Sequence, residues 1–223
     1  MIVDCVIPAR NEASTVAIVV EAALGCAFVR EVTVVDDASS DDTGEQARLA
    51  GAKVIRREGS GSKGRAMEVG VRASDADLIL FADADLLGIT AAHLDAICRP
   101  VVEGDAAMSL GSFDYGWWSR LVLRFPPITG ERIIPRWVFE AIPPPSRGGF
   151  AIEIMIDEVV CARRLPVVAR VMVGVTHRTK RDKFGKLEGY RRTLRMFWEI
   201  WGPRTVWRWR TYAYYLRDVR IER

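Results

Sequence analysis

The alternation of short apolar runs with helically spaced segments constrains the fold of this chain more than any other feature. Strands are predicted at residues 3–7, 31–35, 52–56 and 78–82, and helical spacing occurs at residues 13–24, 43–50, 65–73 and 90–97. Strands separated by single short helices indicate βαβ units, in which neighbouring strands run parallel. We therefore expect an α/β fold with a mostly parallel, Rossmann-like central sheet flanked by helices.

The pattern is looser after residue 105. Strands are predicted at residues 106–110 and 166–175, a helix at about residues 151–164, and a helical tail at residues 191–220 that breaks near Gly202 and Pro203. We therefore expect one domain over residues 1–189, divided into halves near residue 105, and a helical C-terminal extension over residues 190–223.

Composition excludes several classes of protein. The chain is 49% hydrophobic and 27% charged, which is typical of a globular protein, and its net charge of +3 gives no reason to expect a nucleic-acid partner. The four cysteines lie far apart in the sequence, so neither a zinc site nor disulfides are expected. No secretory signal and no apolar stretch of ~18 residues is present, and we expect a cytoplasmic protein.

Two aspartates, Asp83 and Asp85, directly follow the apolar run at residues 78–82. Ligands of open α/β sheets collect at the carboxyl ends of parallel strands. Two carboxylates at such a position repel each other unless a cation or ligand hydroxyls lie between them. Mg²⁺ or Mn²⁺ carrying a diphosphate meets this requirement, whereas an ordinary acidic turn is the alternative.

Other strand ends carry residues suited to a nucleotide. Asn11 and Glu12 follow the first strand, Asp36 follows the second, and Lys63 lies in a glycine-rich loop at residues 59–64 where cations and backbone N–H groups can meet a diphosphate. That loop also matches the GxGxxG pattern of NAD-binding proteins. Its preceding strand is short and charged and comes third in the chain, so NAD binding is the less favoured interpretation.

Four blocks, at residues 6–12, 34–43, 61–66 and 81–85, together resemble family 2 glycosyltransferases of the GT-A fold, in the order and spacing of that family. The resemblance implies a nucleotide-binding half at residues 1–105 and an acceptor half at residues 106–189. It also implies that Lys63 lies near the diphosphate, Asp83 near the ribose, and Asp85 on a Mg²⁺ or Mn²⁺ ion as a catalytic ligand. The residues implied to line the nucleoside pocket are Pro8, Ala9, Asn11, Glu12 and Asp36.

The second half resembles the family less closely. Residues 129–134 are similar to the acceptor-side loop and residues 148–153 to the start of the acceptor helix, which makes Glu153 a candidate contact of the donor sugar or acceptor. His177 follows the last predicted strand, where similar enzymes use a histidine as a metal ligand, and imidazole with carboxylate suits Mn²⁺ or Mg²⁺. Arg178 could neutralise a diphosphate or a phosphorylated acceptor. The alternative interpretations are that Glu153 is an exposed helix residue, that His177 is structural, and that Arg178 lies in a solvated basic loop.

The sequence is compatible with more than one acceptor of the sugar. The chain lacks the Glu-Asp and Gln-x-x-Arg-Trp motifs of many inverting members, which argues against a catalytic aspartate base. Aromatic residues and arginines alternate in the tail, which suits either an anionic membrane surface or packing on the core or in a homodimer. A lipid phosphate needs no base because it is already ionised, and a soluble phosphorylated hydroxy acid is the alternative acceptor. A sugar nucleotidyltransferase or a non-catalytic nucleotide-binding module represents a different class.

Overall fold

The structure is a computed structural model that describes residues 1–59, 62–118, 129–144, 147, 152–177 and 209–222. Its strands are β1 Val3–Ala9, β2 Val29–Asp37, β3 Lys53–Arg57, β4 Leu78–Phe81, β5 Leu86–Leu87, β6 Met108–Phe113, β7 Arg132–Pro135, β8 Val167–Met172, β9 Thr176–His177 and β10 Arg220–Glu222. Its helices are α1 Val16–Leu24, α2 Thr43–Leu49, α3 Lys63–Ala73, α4 Ala91–Val102, α5 Arg136–Glu140, α6 Ile152–Ala162 and α7 Trp209–Asp218. A 3₁₀ turn spans Gly116–Trp118.

Eight of these strands form a central sheet in the order β3-β2-β1-β4-β7-β6-β8-β10. Every pairing is parallel except the two made by β7, which is antiparallel to β4 and to β6. The predicted mostly parallel sheet flanked by helices is therefore confirmed. Strands β5 and β9 pair separately as a two-stranded sheet beside it.

Strand β7 is missing from the sequence-based prediction, which treated residues 129–134 as a loop. Arg132 lies opposite Phe81 of β4 and Leu110 of β6, so the strand occupies the middle of the sheet. Only two consecutive apolar residues, Ile133 and Ile134, stand between an arginine and a proline, and neither alternation nor an apolar run of strand length is visible. Neighbours on both sides supply the pairing that the local sequence does not specify.

Alternating strand residues supply two cores, one on each face of the sheet. Cys5, Ile7 and Leu80 pack with α1 and α4 on one face, and Val6 and Ile79 pack with α3 and α6 on the other. All four cysteine side chains are buried, as expected of small apolar fillers. The helices cover both faces and leave the strand ends for the site.

The described part of the tail belongs to this domain. Tyr214 and Tyr215 of α7 are buried in the same core as Ile152 and Ile156 of α6, and β10 extends the sheet by pairing with β8. The predicted helix over residues 191–220 thus ends at Asp218 and is followed by a strand, while residues 191–208 lie outside the described part. Within the described residues, no helix combines the length and the apolar character needed to cross a membrane.

Candidate active site

Parallel strands bring the predicted residues to one edge of the sheet. β1, β2 and β4 end there side by side, with Ala9 opposite Asp36 and Val6 opposite Phe81. Because β7 is antiparallel, its beginning rather than its end lies at the same edge. The turn at residues 129–131 therefore meets the aspartates that follow β4.

The loops after β1 and β2 are joined by hydrogen bonds. The Asn11 N–H donates to Ser39 Oγ at 3.0 Å, and Asn11 Oδ1 accepts from the Ser40 N–H at 2.8 Å. Asn11 has a φ of 56°, a left-handed conformation that asparagine tolerates better than most residues. Pro8 and Ala9 form the end of β1 directly before this junction. The structure thus brings the residues predicted to line the nucleoside pocket next to one another.

Asp36, near the end of β2, is almost completely buried where these two loops meet. Its Oδ1 accepts from the Ser39 N–H at 2.9 Å and its Oδ2 from Arg56 Nη1 at 2.8 Å. Asp37, next in the chain, accepts from the Ser62 N–H at 2.5 Å, directly before α3. The two oxygens of Asp36 thus organise the loop after β2, and its contact with a nucleoside stays a prediction.

Lys63 lies between two carboxylates. Its Nζ is 2.5 Å from Asp83 Oδ1 and 2.6 Å from Glu153 Oε1. Burial alone would lower the pKa of Lys63, but the charges of Asp83 and Glu153 outweigh it and raise the pKa above its ordinary value. Lys63 begins α3 and Glu153 lies in the first turn of α6. Glu153 is 3% exposed, so it is not the exposed helix glutamate that the alternative interpretation assumed.

Two glycines permit this close packing. A Cβ atom on Gly130 would lie 2.3 Å from the carboxylate atoms of Asp83, and one on Gly64 would lie 1.9 Å from the carbonyl oxygen of Arg147. Neither contact leaves room for a side chain. The Asp83 carboxylate therefore rests against the backbone of the turn that precedes β7.

Glu131 is a site residue that the sequence did not identify. Its side chain is 1% exposed and accepts a hydrogen bond from Thr129 Oγ1, and its Oε1 has no hydrogen-bond partner among the described residues. Burial and the nearby charge of Asp83 raise the pKa of Glu131 to about 7. No local pattern marks this residue, because only the antiparallel direction of β7 brings it to the edge where the aspartates lie.

The two proposed metal ligands lie on neighbouring segments, next to and within the small sheet. Asp85 directly precedes β5, and Leu86 of β5 is paired with His177 of β9. The His177 ring is exposed at this edge and contacts Phe113, with the ring centroids 5.1 Å apart. A carboxylate and an imidazole are suitable ligands for Mn²⁺ or Mg²⁺. Among the described residues, no three His, Cys, Asp or Glu side chains are grouped to hold a metal, so the roles of Asp85 and His177 as metal ligands stay predictions.

The second histidine has a structural position. His93 Nδ1 accepts from the Thr90 N–H at 3.2 Å at the start of α4, and its Nε2 lies 3.2 Å from the Val173 carbonyl oxygen. His93 thereby joins α4 to the turn before β9, which is a structural role. Arg178 and residues 148–151 lie outside the described residues, so their predicted roles stay predictions.

Residues 4–152 match the model of glycosyl transferase family 2. The chain belongs to this family. Two similar relatives are glucosyl-3-phosphoglycerate synthases: the one from Mycolicibacterium paratuberculosis is 31% identical over 120 residues, which are 50% of this chain and 36% of that protein. The one from Mycolicibacterium smegmatis is 33% identical over 121 residues, 50% of this chain and 40% of that protein. The matched region is thus less than half of either relative.

Solved structures share the fold of this chain. Glucosyl-3-phosphoglycerate synthase from Mycobacterium tuberculosis in complex with phosphoglyceric acid superposes with a TM-score of 0.70 at 22% identity, covering 89% of this chain and 79% of that chain. The same enzyme in complex with Mn²⁺, uridine-diphosphate-glucose and phosphoglyceric acid gives a TM-score of 0.68 at 22% identity, covering 79% and 71%. The predicted GT-A fold is therefore confirmed.

Proposed function

We propose that this family 2 protein is a metal-dependent glycosyltransferase that moves a sugar from a nucleoside diphosphate to a small phosphorylated hydroxy acid. The observation that carries the proposal is the convergence of Lys63, Asp83 and Glu153 at the strand edge, beside the wall formed by Asn11 and Asp36. This arrangement supplies hydrogen-bonding groups for a nucleoside, a cation for a diphosphate and a buried carboxylate for a sugar or acceptor hydroxyl.

The donor would lie along the strand edge. Asp36 and the Asn11 turn would contact the nucleoside, and Asp83 the ribose. Asp85 and His177 would hold Mg²⁺ or Mn²⁺, which supplies positive charge to the leaving diphosphate. Lys63 would add a second positive charge there, and this stabilisation of developing charge is the main electrostatic task of such a site. Glu153, at 2.6 Å from Lys63 Nζ, is placed to accept a hydrogen bond from a sugar or acceptor hydroxyl.

A soluble acceptor is favoured over the lipid phosphate that the tail first suggested. The lipid hypothesis rests on free aromatic side chains in the tail, but Tyr214 and Tyr215 are buried in the core. The similar proteins named above are glucosyl-3-phosphoglycerate synthases, and both solved complexes named there contain phosphoglyceric acid. Contact of the tail with a membrane or a second subunit stays a prediction, because residues 190–208 lie outside the described part.

The donor can be tested by thermal shift with UDP-, GDP- and dTDP-sugars, each with and without Mn²⁺. We expect UDP-glucose with Mn²⁺ to stabilise the protein most, because a ligand at a hundredfold its dissociation constant adds about 2.7 kcal/mol. Transfer would then be measured with 3-phosphoglycerate, glycerate and a polyprenyl phosphate as acceptors. Transfer to the polyprenyl phosphate alone would restore the lipid hypothesis, and the absence of any nucleotide effect would contradict the proposed function.

Lys63 provides a sharper test. Lys63→Ala should weaken the binding of UDP far more than the binding of uridine, because only UDP carries the diphosphate. The matched control is Lys53→Ala. Lys53 lies on the edge strand β3, is half exposed, and its Nζ is 3.2 Å from Glu31 Oε1. Calorimetric titrations of both ligands would measure the difference. Equal losses for UDP and uridine would mean that Lys63 only supports the fold.

A further inference from the structure

Arg132 is the most deeply buried charged side chain among the described residues. It is 0% exposed, at the start of β7 and in the middle of the sheet. A buried guanidinium costs several kcal/mol unless its charge is paired and its N–H groups are satisfied. Its partners therefore show what the residue holds in place.

These partners belong to two segments of the site. Nε and Nη2 of Arg132 donate to the Thr129 carbonyl oxygen at 3.2 and 2.5 Å. Nη1 donates to the Glu153 carbonyl oxygen at 3.1 Å and to Asp157 Oδ1 at 2.9 Å. One side chain thus ties the turn before β7, which carries Glu131, to the first turns of α6, which carry the carboxylate that contacts Lys63.

The C-terminal segment, residues 209–222, also contributes to this arrangement. Asp157 is 1% exposed, and Tyr215 of α7 is completely buried in the core that α6 contributes to. Burial raises the pKa of Tyr215, and the charge of Asp157 raises it further, which reflects how near the two groups are. Burial also raises the pKa of Asp157 to about 6, against the opposing charge of Arg132. Helix α7 therefore keeps water away from the ion pair.

We infer that Arg132 is a positioning residue of the acceptor half, which holds Glu153 against Lys63 and the Thr129–Glu131 turn against Asp83. Residues 209–222 act on the site through it, because they seal the Arg132–Asp157 pair from water. The inference rests on the proposed function for its catalytic consequence. Its structural consequence, that the two segments loosen together when the pair is broken, does not depend on the substrate.

The test compares Arg132→Met and Arg132→Lys with Arg136→Met as the matched control. Methionine keeps much of the length without the charge, and lysine keeps the charge but cannot reach all three partners. Arg136 follows the same strand at its opposite end, where Nε donates to Glu140 Oε1 at 2.7 Å. Each variant would be assayed for UDP affinity, for kcat and acceptor KM, and for hydrogen exchange at residues 129–133 and 152–158.

Both Arg132 variants should exchange faster in these two segments and lose up to about a hundredfold in kcat, the loss typical of a misplaced reacting group, while UDP affinity changes little. Arg136→Met should show neither effect. Unchanged kcat in folded Arg132 variants, or faster exchange spread evenly over the sheet, would overturn the inference.

Should both Arg132 variants fail to fold, Asp157→Asn decides, because it keeps the shape and an acceptor oxygen but removes the partner charge. It should speed exchange in the same two segments and lower kcat with UDP affinity retained, and unchanged values for both would overturn the inference. A wild-type protein that does not bind UDP would contradict the proposed function, and the exchange measurements would still decide the role of Arg132.

Discussion

At the scale of single residues, Glu131 should make stability depend on pH. Its folded-state pKa of about 7 lies above the ordinary 4.5, so between these values the folded protein binds more protons than the unfolded chain. Stability therefore falls as pH rises through that window. A shift of this size corresponds to on the order of 3 kcal/mol.

Urea unfolding at pH 5 and pH 8 would measure the effect. Glu131→Gln should reduce the difference between the free energies of unfolding at the two pH values. The part of that difference that Asp157 causes should remain. The control is Glu103→Gln, because Glu103 is half exposed and pairs with Arg99 on the surface at 3.3 Å. An identical pH dependence in the wild type and Glu131→Gln would contradict the assignment.

At the scale of elements, the turn before β7 can pack against Asp83, which follows β4, because Gly130 has no side chain. Gly130→Ala would place a Cβ 2.3 Å from the Asp83 carboxylate and push it away from Lys63. We expect a clear loss of nucleoside affinity with a modest loss of stability. Gly104→Ala is the contrasting control, because Gly104 has a φ of +87° with nothing within 4 Å of an added Cβ.

Gly104→Ala should therefore cost about 1–2 kcal/mol through its left-handed backbone and leave nucleoside binding unchanged. Uridine titration and thermal unfolding of both variants would separate the two effects. Normal uridine affinity in Gly130→Ala would show that Asp83 does not serve the ribose.

At the scale of the whole molecule, the C-terminal segment should contribute to the stability of the entire domain. Tyr215 is completely buried in the core on one face of the sheet, so Tyr215→Ala should destabilise the protein by about 3–5 kcal/mol, as for other large buried aromatic side chains. Arg217→Ala, on the exposed face of the same helix, should change stability by less than about 0.5 kcal/mol. Chemical denaturation of both would test this, and equal small effects would mean that the tail is an independent appendage.

The sequence by itself determined the parallel half of the fold. Strands β1, β2 and β4 are apolar or alternating runs and β3 is short and charged. A helix follows each of β1 to β3 directly and follows β4 after the two-residue strand β5. These local signals agree with the tertiary structure, so the order and direction of the four strands could be predicted. The site residues at the ends of β1, β2 and β4 follow from the same rule, because parallel strands end at one edge. The close approach of Lys63, which begins α3, follows from that arrangement.

In the acceptor half, β6, α6 and β8 lie where the sequence predicts a strand, a helix and a strand, but only the tertiary structure decided β7, β10 and the contacts they make. Strand β7 is four residues long and runs against its neighbours, and β10 is three residues long at the end of a helical pattern. Such short strands are stabilised by their neighbours in the sheet, β4 and β6 for β7 and β8 for β10, and not by their own residues. For this reason the positions of Glu131 and Arg132, the burial of Tyr215 and the pairing of Lys63 with Glu153, 90 residues apart, could not be read from local spacing.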